Sequence, residues 1–171
     1  MSNNKTVDLE KIERMKKTLG INSDVGQQIH RICKVKIADL MVIDYIIKDE
    51  GDDSITTKEI KLSSGDKPLG AFIDAANSFI SQVIEYVGLD SGKWDDIKIT
   101  GINIKEESRG IGLVISATGE INGLPVNINT PYLNPEIVEE SFELQENLDE
   151  LTRQAILYIN GERQIKQIEL L

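Results

Sequence analysis

The chain has 171 residues, 40% of them hydrophobic, with 19 Lys and Arg against 29 Asp and Glu and a net charge of −10. That length buries enough surface to need no disulfide or metal staple, and no run approaches the ~20 apolar residues of a membrane span. The acidic balance opposes direct nucleic-acid binding, whose affinity comes largely from Lys and Arg neutralising phosphates.

The opening segment, MSNNKTVDLE, lacks the basic start and apolar core of a secretory signal. Cys33 is the single cysteine, so the expected setting is a reducing cytoplasm. A first helix is expected over residues 7–19, where Leu9, Ile12, Met15 and Leu19 recur at helical steps before Gly20. Its cluster of Lys11, Arg14, Lys16 and Lys17, interleaved with Glu10 and Glu13, reads as a solvated face with local ion pairs.

After a polar stretch, KVKIADLMVIDYIIKDEG predicts one long strand or a bent pair. DEGDDS predicts a turn and ITTKEIKLSS a returning strand. A continuous helix is then expected, with Pro68 in its first turn and a broad apolar face of Leu69, Phe72, Ile73, Ala76, Phe79, Ile80, Val83, Ile84 and Val87. Gly88 closes it.

WDDIKITGINIKEES predicts a strand whose apolar phase slips by one residue at Gly101, the mark of a bulge. RGIGLVISATGEI and LPVNINTPY predict two more strands joined by a turn at Asn122-Gly123. A last helix carries Leu144, Leu148, Leu151, Ala155, Tyr158 and Ile159, with Gly161 as its stop. No Lys or Arg occurs from Pro131 through Thr152.

The expected class is α+β: mainly antiparallel sheet with helices on one face, in a single domain over residues 1–163 followed by a tail over residues 164–171. KVKIADL and DIKITGI look alike, which is consistent either with two diverged strand-strand-helix repeats (residues 34–89 and 95–161) or with chance likeness between amphipathic strands.

No catalytic residue, metal site or cofactor is expected. His30 is the only histidine, and Cys33, three positions on, should face the opposite side of a regular strand. Asp52-Asp53, Asp95-Asp96 and Glu106-Glu107 fall in turns or at strand ends, where solvated carboxylates are the rule. RGIG is too short for a phosphate loop and precedes a strand. Asn127 and Asn129 share the polar face of one strand, and Trp94 should cap the core.

KITGI, GLVISATGEINGLPVNINTPY and LDELTRQAILYINGERQ together resemble a family of small phage and prophage proteins. That family pairs a TGI/TGV strand with a VISA hairpin and an LNTP-like strand. It ends in an acidic helix, a YINGERAQ-like segment and an apolar tip. The likeness covers residues 97–171; GERQIK departs from GERAQ, and Leu171 stands where members often end in phenylalanine. The resemblance implies a place among replication and recombination functions and carries over no catalytic residue.

The closing Gln167-Ile168-Glu169-Leu170-Leu171 is similar to the short peptide by which bacterial replication and repair proteins grip a sliding clamp. The amide can satisfy a polar notch and the aliphatic side chains can fill an apolar groove. The competing reading is a short helix or strand returning to the core, since Ile165, Ile168 and Leu171 recur every third residue. The sequence therefore points to a non-enzymatic accessory protein acting through a protein partner. Its alternative is a counter-defence protein that binds a host factor or sequesters a small nucleotide, with Lys98, Lys105 and Arg109 as the candidate ligand contacts.

Overall fold

The computed structural model describes residues 27–50, 54–89, 94–108, 110–136 and 141–164. The helix expected over residues 7–19, the Asp52-Asp53 pair, Arg109 and the segment Gln167 to Leu171 lie outside them.

Strands β1 (Gln27–Lys36), β2 (Met41–Glu50) and β3 (Ile55–Ser64) form one antiparallel meander, and β5 (Asp95–Glu107), β6 (Gly110–Ile121) and β7 (Leu124–Asn129) form another. β1 and β5 join them antiparallel, giving a six-stranded sheet in the order β3-β2-β1-β5-β6-β7. A short pair, β4 (Lys67–Pro68) and β8 (Arg163–Gln164), lies apart from it. Helices α1 (Gly70–Asn77) and α2 (Ile80–Val87) follow the first meander, and α3 (Ser141–Ile159) follows the second. The chain is thus α+β with a mainly antiparallel sheet, as expected.

Strand pairs place alternate residues on one face. Met41, Ile43 and Ile47 of β2 and Leu113, Ile115 and Ala117 of β6 are buried there. All of these but Ile47 meet Phe72, Phe79 and Val83 from α1, α2 and the joint between them, and Leu144, Leu148, Leu151, Ala155 and Tyr158 from α3, in one apolar cluster. The phase slip at Gly101 is present: the β5–β6 register shifts between Ile99 and Gly101, and Ile99, Ile102 and Ile104 all reach the core. Trp94 packs against the same cluster, half-buried, above Gly119.

β1 departs from expectation. It begins at Gln27, inside the stretch read as polar, and its register against β2 shifts twice, between Ile29 and Arg31 and between Ile32 and Lys34. Two bulges in succession put Ile29, Ile32 and Val35 on the core side at a spacing of three. His30 and Cys33 are the residues left over in the two bulges. The rule that strand residues three apart face opposite ways does not hold here, because each bulge resets the phase. KVKIADL and DIKITGI also occupy different places: Lys34 to Lys36 close β1, whereas Asp96 to Lys98 open β5.

The helix expected to run unbroken from Pro68 is divided. Pro68 pairs with Arg163 in the β4–β8 ladder, and the helix starts at Gly70 after an extended Leu69. At Ser78 and Phe79 the backbone tightens, with Phe79 N–H donating to the Ala76 carbonyl at 3.2 Å. The Ser78 hydroxyl bonds back to the Ala75 carbonyl at 2.6 Å, and the Ser78 carbonyl accepts the Asn147 amide of α3 at 3.2 Å. Asn77 and Ser78 are weak helix formers because their side chains compete for backbone groups. The break turns Phe79 fully into the core.

The sheet edges differ. Beyond β7, Thr130 takes over pairing: its N–H donates to the Ile115 carbonyl at 2.9 Å and its hydroxyl oxygen accepts the Ile115 N–H at 3.0 Å. Leu133 then bridges Leu113 in both directions at 2.8 Å. No described helix is long and apolar enough to cross a membrane.

Candidate functional site

The tail candidate starts from a well-anchored point. After α3, Gly161 takes φ +99, a left-handed turn suited to glycine, and the chain enters β8. Arg163 lies over the Tyr158 ring, its guanidinium carbon 4.9 Å from the centroid. Its Nη1 donates to the Ser64 hydroxyl at 3.0 Å and to the Asp66 carboxylate at 3.2 Å. The Tyr158 hydroxyl donates to the Asp66 carbonyl at 2.5 Å, and its ring meets Phe72 edge-on at 5.8 Å. Gln164 adds a bond from its amide to the Pro68 carbonyl at 3.1 Å. These contacts clasp the end of α3 to the segment linking β3 and α1. Ile165 and Lys166 alone separate the clasp from Gln167.

Of the cationic candidates, Lys98 and Lys105 stand apart. Lys98 sits near the start of β5 and is ion-paired with Asp96 at 3.0 Å. Lys105 lies at the other end of β5, about 20 Å away at 3.3 Å per residue. Arg109 lies outside the described residues. Lys98 and Lys105 therefore do not converge on one small nucleotide.

Other singled-out residues fall into local roles. Asn127 and Asn129 are exposed on the open face of β7, and the Asn129 side-chain Oδ1 accepts the Ser116 hydroxyl at 2.7 Å. Glu106 forms an ion pair with Arg31. Glu107 stands near Tyr132, whose phenol is raised above its ordinary range, first by desolvation and then by the Glu107 charge. On α3, Glu150 is held below the ordinary carboxylate range by hydrogen bonds from Arg153, with burial opposing and Gln154 assisting. Folding thus favours its ionised form. The contribution is small because both side chains are half exposed; it exists above the unfolded pKa and fades as pH falls through the folded one and the carboxylate takes up a proton.

Sequence reasoning missed a hollow of about 430 Å³ across β1, β2 and β3, lined by Cys33, Asp44, Tyr45, Glu59, Ile60 and Lys61. Asp44 pairs with Lys34 on one side and Lys61 on the other in strand register, and its Oδ1 is shut off from solvent without a hydrogen bond. The bulge that leaves Cys33 over, on the lining of this hollow, was not visible in the sequence. Among the described residues no group of three or more His, Cys, Asp or Glu converges as a metal site.

Comparison with protein-family models, curated proteins and solved structures finds no match to this chain.

Proposed function

We propose that this protein is a non-enzymatic accessory factor of a phage DNA replication or recombination module. It acts by protein–protein contact, recruiting a sliding clamp through Gln167-Ile168-Glu169-Leu170-Leu171. The observation that supports this reading is the Arg163–Tyr158–Asp66 clasp. It holds the chain at Gln164, so Gln167 starts within about 11 Å of a fixed point on the body. A peptide beginning so close to a rigid anchor loses less freedom on docking than one at the end of a long linker. Ile168, Leu170 and Leu171 supply the apolar anchors and Gln167 the amide for the polar notch.

Binding of the full chain to a purified bacterial sliding clamp should be roughly micromolar, about −8 kcal/mol. Replacing Leu170 and Leu171 by alanine should weaken it by about a hundredfold or more, since each buried leucine contributes ~1.5–3 kcal/mol. Calorimetric titration decides the matter. Equal binding by the parent and the doubly substituted chain removes the peptide from the proposal, and no binding by either removes the clamp.

A further inference from the structure

β3 closes one side of the sheet, and its inner edge is paired with β2 along its whole length, from Met41↔Ser64 to Glu50↔Ile55. Among the described residues nothing pairs with its outer edge. The opposite side of the sheet is managed differently: β7 contains Pro125, and the Thr130–Leu133 run covers the rest of β6. β3 has ten residues, no proline and several β-branched side chains. A long bare edge of this kind is a template for another strand.

We infer that β3 pairs antiparallel with β3 of a second copy of this chain, with the two-fold axis at Ile60, making one continuous sheet through the dimer. In a symmetric antiparallel pair the axis stands perpendicular to the sheet, so residues of the same face lie opposite one another. Leu62 faces the helix layer opposite Ile43, so Glu59 and Lys61 share the open face. An axis at Lys58, Glu59 or Lys61 sets like charges against each other. An axis at Thr57 or Leu62 leaves half of the strand unpaired. At Ile60 the pairing spans Thr56 to Ser64. Glu59 then faces Lys61 of the other copy on both sides of the axis, Thr57 faces Ser63, and the Lys58 stem lies along Leu62. Overlap and charge select the same register.

Light scattering or sedimentation of the full chain should show a concentration-dependent doubling of the 19.1 kDa mass. Glu59→Lys and Lys61→Glu should each be monomeric, because each sets like charges opposite one another twice. An equimolar mixture of these two variants should regain the dimer, since the unlike charges then meet across the interface. The variant carrying both substitutions should dimerise by itself. Circular dichroism checks that each variant keeps the parent fold. As an independent reading of the register, Ile60→Cys in a Cys33→Ser background should cross-link to itself under mild oxidation. Ile55→Cys should not, since its counterpart stands about 33 Å away. A parent that stays monomeric at every concentration overturns the inference, whether a different segment covers the edge or nothing does. Single variants that dimerise like the parent, a mixture that stays monomeric, or absence of the Ile60 cross-link overturns it as well. None of these outcomes bears on clamp binding, which is read separately.

Discussion

At the scale of single residues, two glycines in β6 carry aromatic rings where a side chain would otherwise stand. A Cβ at Gly112 would overlap the Tyr132 ring, and one at Gly119 would press on Trp94. The two face opposite ways. Gly119 lies on the core side, and Gly112 lies on the open side, where the Tyr132 hydroxyl reaches the Lys105 carbonyl at 3.5 Å. Glycine weakens a strand interior because it has no side chain to pack, and a ring laid across it restores that cover. Gly112→Ala should therefore destabilise the protein by about 1–3 kcal/mol through overpacking. In a Tyr132→Ala background the same substitution should cost close to nothing. Chemical denaturation of the four chains of this cycle measures the coupling; an equal cost in both backgrounds would show that the ring is not what the glycine accommodates. The composition of β6 hinted at this only weakly, since GIGLVISATG contains three glycines and no sign of which ring covers which.

At the scale of elements, legibility followed locality. The β6–β7 hairpin was readable because Asn122 and Gly123 both take positive φ, +51 and +75, in a two-residue turn that this dipeptide favours. The apolar spacing of α3 was equally plain, and Leu144, Leu148, Leu151, Ala155 and Tyr158 are all buried as that spacing required. β1 was not readable, because two bulges convert its alternation into a spacing of three that matches no regular strand. Nor was the break between α1 and α2, which depends on Asn147 reaching across from α3. The β4–β8 clasp is likewise non-local, joining residues 92 to 99 positions apart. Tyr158→Phe keeps the ring stack with Phe72 and removes the bond to Asp66, so it should cost about 1 kcal/mol. Arg163→Ala loses the ring contact, the ion pair and the packing of its stem, and should cost about 1–2 kcal/mol. Thermal melts of both variants test the clasp. If Arg163→Ala melts with the parent, β8 is not held by these contacts, and the short tether invoked for Gln167 fails with it.

At the scale of the molecule, two meanders share one interior. Across the junction Lys34, Val35 and Lys36 pair with Asn103, Ile102 and Gly101, and the Ile37 N–H donates to the Thr100 carbonyl at 2.8 Å, while the apolar cluster draws on both halves and all three described helices. Continuity therefore lies in side-chain packing and much less in the hydrogen-bonded seam. Gly101 permits the close approach: a Cβ there would stand 3.2 Å from the Val35 carbonyl oxygen. The two halves should unfold together. Far-ultraviolet dichroism, which reads both meanders, and fluorescence of Trp94, which sits in the second, should give superimposable denaturation curves. Separate midpoints would mean that the halves are independent units joined by a narrow seam. The charge is unevenly spread at this scale too. Within α3, Glu143, Glu146, Asp149 and Glu150 stand against Arg153 alone, whereas lysines recur on the open face of the sheet, among them Lys34, Lys61 and Lys105.

From the sequence alone came the α+β class, five of the six main strands in outline, the α3 core positions, the Gly101 bulge and the Asn-Gly hairpin. Each is written in residues close together in the chain, where period and turn chemistry act directly. The seam between meanders, the double bulge of β1, the broken helix, the clasp at Arg163 and the separation of Lys98 from Lys105 were decided only by the tertiary structure. They depend on which distant segments meet, and a repeat of two or three residues carries no record of its eventual neighbours. The outer edge of β3, unpaired among the described residues, belongs to the same class, because a strand becomes an edge only by where the rest of the sheet is placed.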